Sequence, residues 1–241
     1  MNTKQRYIIA ISCTFLGCHL LEKQPFEYAG TVEATRVNLP SRVATVVKSI
    51  ATEEGQHVKK GQVVAELACE DIALNNALAD ENYRRARHLK QTGSISKEAF
   101  EQAQNKNAEA ETRLAWCVIK SPVDGTVLTK FLEPSEWVNP GTKILTIADL
   151  KNLWTYFYVS QEVMSKLKLG SAVDGHVPEL GKNFHGTIVK INEEAEFTPK
   201  NIQTQSERTR LVFGIKVAFK NDDGFLKPGI TILSNLDEKS P

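Results

Sequence analysis

The residues of this chain that could do chemistry are four cysteines and five histidines. The cysteines are Cys13, Cys18, Cys69 and Cys117, and the histidines are scattered. No two histidines have the spacing with which one helix presents a pair of metal ligands. The G-x-S-x-G and H-E-x-x-H motifs of hydrolases and metalloproteases are absent from the sequence. We therefore expect a chain that is not an enzyme and needs no cofactor.

Cys18 follows a segment that has the features of a signal peptide. Lys4 and Arg6 precede a mostly apolar run at residues 7–16, about half as long as a membrane-spanning helix. This pattern predicts a signal peptide over residues 1–18 and a protein that works in the periplasm. The sequence Phe-Leu-Gly before Cys18 resembles a bacterial lipobox, which predicts lipidation of Cys18 and anchoring on a membrane. The alternatives are an ordinary signal peptide and an uncleaved one that acts as a weak anchor.

The charge balance of the chain excludes one class of partner. The 241 residues include 30 Lys and Arg against 29 Asp and Glu, which gives a net charge of +1. Proteins whose main partner is nucleic acid carry a basic surface with a clear excess of positive charge. We therefore expect no nucleic-acid partner.

Two segments of the chain repeat one pattern. Residues 46–67 align without gaps on residues 126–147, an offset of 80 residues. The matched pairs are Val47 and Val127, Val58 and Val138, Gly61 and Gly141, and Leu67 and Ile147. Each copy predicts a short strand, a turn with glycine and a second strand. Neither copy buries enough apolar surface alone, so we expect the two to face each other as one small sandwich.

The repeat resembles the biotinyl and lipoyl carrier fold, but the lysine motif that carries the modification is missing. A helical insert at residues 70–116 stands in its place, with no proline and one glycine. Helices are predicted at 71–91 and 97–115, with Gly93 as a C-terminal cap and Ser96 as an N-cap. Residues at seven-residue spacing predict an antiparallel coiled-coil seam: Ile72, Ala79, Ala86, Phe100, Ala103, Asn107, Ala110 and Leu114.

Cys69 and Cys117 lie at equal distances from the predicted turn, 24 residues on either side of Gly93. In an antiparallel hairpin, residues equidistant from the turn lie side by side. The pair is therefore predicted at the base of the hairpin, and an oxidising compartment permits a disulfide between them. The alternative is two small buried cysteines that pack as hydrophobic residues.

The third region, residues 151–235, has several short β-like runs separated by turn-forming residues, with one short helix predicted at 161–167. Many short strands at this spacing are typical of a β-barrel or sandwich.

A split lipoyl-like domain with a helical hairpin between its halves resembles the membrane-fusion proteins, the HlyD-type periplasmic adaptors of tripartite efflux and secretion systems. The resemblance covers residues 28–235, and residues 119–127 resemble the family's return into the second half-motif. It implies a mixed, mainly β fold with three parts. These are a barrel-sandwich hybrid at 28–69 and 117–150, an α-helical coiled-coil hairpin at 70–116, and a β-barrel domain at 151–235.

The resemblance also implies partners. Arg85, Leu89 and Ser96 have the spacing of family members that meet a TolC-type outer-membrane channel, which implies a partner-binding hairpin tip. Residues 195–208 resemble the corresponding run in adaptors of ABC exporters. This resemblance favours an ABC exporter over a proton-driven pump as the inner-membrane transporter. Copies of such adaptors assemble into a ring, for example a hexamer. Two alternatives stay open. In the first, Arg85, Leu89 and Ser96 bind no partner and are an exposed arginine, a seam leucine and an N-cap serine. In the second, the chain is a periplasmic ligand- or metal-binding lipoprotein.

Overall fold

The computed structural model describes residues 28–197 and 211–236. The predicted signal peptide and Cys18 lie outside the described residues. The first strands are β1 (Tyr28–Thr31), β2 (Glu33–Pro40), β3 (Thr45–Ile50), β4 (His57–Val58) and β5 (Val63–Ala68). The helices α1 (Glu70–Gln91) and α2 (Lys97–Ala115) follow, and then β6 (Val118–Lys120), β7 (Gly125–Lys130), β8 (Trp137–Val138) and β9 (Lys143–Val159). The last elements are α3 (Gln161–Met164), β10 (Ala172–Val177), a 3₁₀ turn (Pro178–Leu180), β11 (Lys182–Ile191), β12 (Glu196–Phe197), β13 (Leu211–Lys220) and β14 (Thr231–Ser234).

The two repeats form one sandwich by exchanging their shortest strands. β4 of the first copy pairs with β7 of the second, with Val58 opposite Gly125. β8 of the second copy pairs with β3 of the first, with Val138 opposite Thr45. The matched valines of both copies are almost completely buried in one core: Val47, Val58, Val127 and Val138. The prediction that the two copies face each other is therefore confirmed.

Equivalent turns of the two copies have the same backbone geometry. Gly61 and Gly141 have φ values of 82° and 92°, and Gly55 and Ser135 have φ values of 82° and 76°. Ser135 thus occupies a left-handed conformation that costs a non-glycine residue roughly 1–2 kcal/mol. Lys130 connects the two turns, because its Nζ lies 3.1 Å from Glu133 and 3.2 Å from Glu53. Hydrogen bonds to these two carboxylates, the one to Glu133 first, raise the pKa of Lys130.

The two long helices form the predicted antiparallel hairpin. All the residues predicted for its seam are buried or half-buried, and Ala86, Phe100 and Asn107 are the buried ones. The structure adds two half-buried seam residues on α1 that the seven-residue pattern did not include, Asn76 and Tyr83.

The remaining strands form a β-barrel together with β1, which pairs with β14. The chain passes between barrel and sandwich twice, from β1 into β2 and again along β9. Residues 28–31, which the sequence analysis assigned to the sandwich, thus belong to the barrel sheet.

β9 is 17 residues long. Its first part pairs with β7 and β2 in the sandwich, and its last part pairs with β13 in the barrel. The barrel core contains large apolar side chains that are almost fully buried: Phe157, Ile188, Ile215, Phe219, Leu226 and Ile232. Because β9 is continuous, the barrel follows directly from the sandwich without a loop between them.

The helix predicted at 161–167 is shorter in the structure. α3 ends at Met164, because Lys166 and Leu167 donate to carbonyls three residues back rather than four. These tighter bonds end the helix before Gly170, whose φ is 84°.

Within residues 28–197 and 211–236, no helix is long and apolar enough to cross a membrane. The same residues include no group of three or more His, Cys, Asp or Glu side chains placed to hold a metal ion.

Candidate partner-binding site at the hairpin tip

The turn at the hairpin tip is held by two helix caps. Gly93 has a φ of 71°, and its N–H donates to Lys90 O at 3.2 Å. The N–H of Ser94 donates to Leu89 O at 2.8 Å, which completes a Schellman-type cap on α1. Ser96 Oγ accepts from the N–H of Ala99 at 3.1 Å and caps α2. The predicted caps are therefore both confirmed, and the tip has a defined backbone.

An aromatic cluster holds the two helices together just below this turn. The rings of Tyr83 and Phe100 lie 5.9 Å apart across the seam. Lys90 Nζ lies 3.7 Å from the centre of the Phe100 ring, which is a cation–π contact. Because Tyr83, Ala86 and Lys90 occupy the seam side of α1, the other side chains near the end of this helix face outward.

Arg85 and Leu89 are two of these outward-facing residues. They lie one helical turn apart, and Leu89 is 41% exposed. Arg85 is exposed, and its Nη2 donates to Asn82 Oδ1 of the same helix at 2.6 Å. Leu89 is thus more exposed than the predicted seam residues, all of which are buried or half-buried. Ser96 is also exposed, but its hydroxyl caps α2, so it shapes the turn that the other two residues flank.

The end of α1 that leads to the tip is basic. The positively charged or titratable side chains are Arg84, Arg85, Arg87, His88 and Lys90, all exposed. Arg84 forms an ion pair with Asp80 at 2.8 Å, and Lys90 contacts Phe100. Arg85 and Arg87 form no ion pair with an acidic group among the salt bridges of the described chain. Such a surface complements an acidic partner.

Cys69 and Cys117 are joined by a disulfide at the other end of the hairpin. Their Cα atoms lie 6.2 Å apart, within the usual range for a disulfide. Cys69 is the residue before α1, and both cysteines are buried in the core of the sandwich. The N–H of Leu67 donates to Cys117 O at 2.9 Å, so the base of the hairpin is also bonded to β5. The hairpin is thus fastened at its base and at its tip.

Sequence reasoning did not identify a cavity beside the hairpin base. Its volume is about 760 Å³, and its lining includes Arg42, Ala44, Thr112 and Trp116. The guanidinium of Arg42 lies 5.9 Å from the centre of the Trp116 ring. The cavity could not be predicted, because its residues come from β2–β3, α1, α2 and the turn at Pro140, which only the folded chain brings together.

Comparisons with known proteins agree with this geometry. Residues 35–149 match the family model of the CzcB-like barrel-sandwich hybrid domain. A UPF0194 membrane protein of Citrobacter koseri is 30% identical over 136 residues, which are 55% of this chain. The chain spans only 40% of the length of that curated relative.

Two solved structures share the fold over most of the chain. A MacA–MexA chimeric protein containing the Pseudomonas aeruginosa MexA α-hairpin domain has a TM-score of 0.70 at 21% identity, covering 86% of this chain and 79% of the chimera. The membrane fusion protein Spr0693 from Streptococcus pneumoniae R6 has a TM-score of 0.66 at 18% identity, covering 88% of this chain and 98% of that one. At such identities the likeness shows the fold, and the predicted fold class is confirmed.

Proposed function

The chain has the fold of the membrane fusion proteins, with a CzcB-like barrel-sandwich hybrid domain at residues 35–149, and from this premise we propose that it is a periplasmic adaptor subunit. It links an inner-membrane transporter to an outer-membrane channel and works by assembly rather than by catalysis. The observation that carries the proposal is the helical hairpin between the two halves of the sandwich, with an outward-facing Arg85 and Leu89 beside its tip.

The two ends of the molecule suit two different partners. β9 enters the barrel from the sandwich and ends at Val159, which is paired with Phe213 near the start of β13. Phe197 pairs with Leu211 just beyond this point, so its 75% exposed side chain lies at the barrel end away from the hairpin. We assign the hairpin tip to the channel and this barrel end to the transporter.

A lipid on Cys18 would keep the barrel close to a membrane. Tyr28 belongs to the barrel strand β1 and follows Cys18 by ten residues. Ten extended residues span at most about 36 Å, so a lipid on Cys18 would hold the start of β1 within that distance of the membrane. In the proposed arrangement the barrel faces the anchoring membrane and the hairpin tip points away from it.

In the proposed assembly, several copies pack side by side as a ring and their hairpins line a passage through the periplasm. An ABC exporter is the favoured transporter, because residues 195–208 resemble adaptors of that class. Most of that run lies outside the described residues. Small movements at the junctions between hairpin, sandwich and barrel transmit the state of the transporter to the channel.

Affinity purification of the full-length chain from membranes, after mild cross-linking, tests the proposal. We expect the chain to capture a polytopic inner-membrane protein, and the Cys18→Ser variant to move from the membrane fraction to the soluble periplasm because it lacks the acyl chains. A chain that captures only a small ligand or metal is a periplasmic binding lipoprotein, and the adaptor proposal is then wrong. Retention of the Cys18→Ser variant in membranes would contradict the lipidation of Cys18 but not the adaptor proposal.

A further inference from the structure

Two amide oxygens in the seam of the hairpin are buried without a hydrogen-bond partner among the described residues. One is Oδ1 of Asn76 on α1, and the other is Oδ1 of Asn107 on α2. Asn107 is only 7% exposed, and its Nδ2 donates to Glu111 Oε1 at 2.8 Å. A buried oxygen without a partner costs free energy, because folding removes its hydrogen bond to water and supplies no other.

The two asparagines lie at neighbouring levels of the hairpin. At the base, the Cα atoms of Cys69 and Cys117 are 6.2 Å apart, which sets the register of the two antiparallel helices. Asn107 lies ten residues before Cys117, so it is level with Ala79, ten residues after Cys69. Asn76 is three residues from that level, or about 4.5 Å along the helix. We call Asn76 and Asn107 the polar layer.

Large apolar side chains hold the hairpin on either side of the polar layer. Toward the base, Ile72 and Leu114 pack against the core of the sandwich. Toward the tip, the rings of Tyr83 and Phe100 lie 5.9 Å apart. The remaining predicted seam residues between these contacts are alanines, Ala79, Ala103 and Ala110. The hairpin is therefore well fastened at both ends and weakly held between them.

A second contact weakens α2 next to the polar layer. The hydroxyl of Thr112 donates to Ala108 O at 2.7 Å, one turn back along the same helix. Such a bond competes with the backbone N–H for the carbonyl, and it slightly destabilises or bends helices. Ala108 directly follows Asn107, so the helix and the seam are weakened at the same level.

A buried asparagine can also serve to fix the register of two helices. That role needs a hydrogen bond across the seam, but Asn107 bonds to Glu111 on its own helix. The oxygens of both asparagines accept no bond from the opposite helix. The register is already set by the disulfide at the base, so the polar layer adds a cost without adding this specificity.

We propose that the polar layer is an opening point of the hairpin, where the two helices part locally while the base and the tip stay fastened. In the parted state, water reaches both amide oxygens, which removes the cost of burying them without a partner. Local parting lets the tip bend relative to the sandwich, in addition to movement at the domain junctions. The use of this movement in export rests on the proposed adaptor function, whereas the opening itself does not.

Hydrogen exchange of the full-length wild-type chain, followed by mass spectrometry, tests the opening directly. After correction for intrinsic rates, the amides of residues 104–109 should exchange about tenfold faster than those of residues 110–115 toward the base. They should also exchange faster than the amides of residues 83–90, which lead to the tip. Equal protection of the three segments would overturn the proposal.

A pair of double variants shows whether the asparagines cause the opening. Leucine has the branched shape of asparagine without its polar atoms. The Asn76→Leu and Asn107→Leu double variant should therefore slow exchange of residues 104–109 by about tenfold or more. The Asn75→Leu and Asn105→Leu double variant is the matched control, because both residues are exposed on the same helices and the change in helix propensity is identical. Equal effects of the two double variants would contradict the assignment.

Export separates this inference from the proposed function. The polar-layer variant should capture the transporter as the wild type does but support less export than the control variant. Normal export by the polar-layer variant, with its exchange slowed, would show that export does not use the opening. A wild-type chain that opens at the polar layer but captures no transporter would keep the opening point and lose the adaptor function.

Discussion

Reversing the charge of Arg85 should abolish export while the fold stays intact. Arg85 is exposed, faces away from the seam, and forms no ion pair among the described salt bridges, so Arg85→Glu removes only a hydrogen bond to Asn82. If the tip docks on an acidic channel rim, the variant places like charges together. Such contacts cost several kcal/mol, which corresponds to a loss of docking of at least tenfold. Export by cells that depend on the variant is the measurement.

The matched control is Arg36→Glu, since Arg36 is an exposed arginine on β2, far from the tip. Its charge reversal should leave export unchanged. Leu89→Ala should reduce export without changing the helix content, because Leu89 is outward-facing and alanine favours helix. Normal export by Arg85→Glu and Leu89→Ala at normal protein levels would show that the tip is not the docking surface.

Removing the disulfide should lower the free energy of unfolding by about 4 kcal/mol, because the Cys69–Cys117 bond closes a loop whose ends are 48 residues apart. The crosslink limits the conformations of the unfolded chain, and the loop contains the whole hairpin. The Cys69→Ala and Cys117→Ala double variant and the wild type are compared by guanidinium unfolding, each with and without reductant.

The reductant provides the control for this measurement. Reduction should lower the stability of the wild type toward that of the double variant, and it should leave the double variant unchanged. A wild type that is as stable with reductant as without it, or that has two free thiols from Cys69 and Cys117 when purified from the periplasm, would contradict the prediction.

Local patterns explain why the sequence predicted the hairpin. Gly93 and Ser96 encode caps within a few residues of each other, and the seven-residue spacing of Ile72, Ala79 and Ala86 encodes the seam side of α1. Asn76 and Tyr83 are also seven residues apart, but they occupy a second seam position on α1 that the prediction did not include. Tyr83 enters the seam because it meets Phe100 from the other helix.

The strand pairing between the two repeats could not be predicted in detail. The exchange of β4 and β8 between the two repeats depends on two-residue strands, which are too short to give a periodic signal. The hairpin-base cavity collects residues from distant segments of the chain in the same way. The roles of Arg85, Leu89 and Ser96 at the tip, and of Cys18 in anchoring, stay predictions.

The most direct test of the central claim is photo-crosslinking from both ends of the chain in living cells. One variant carries a photoreactive residue at Leu89 beside the hairpin tip, and the other carries it at Phe197 on the far end of the barrel. The account predicts that the Leu89 probe captures an outer-membrane protein and that the Phe197 probe captures an inner-membrane transporter. Two results would contradict an adaptor that bridges the two membranes. In one, both probes capture the same protein; in the other, the two probes capture no protein of the inner or the outer membrane.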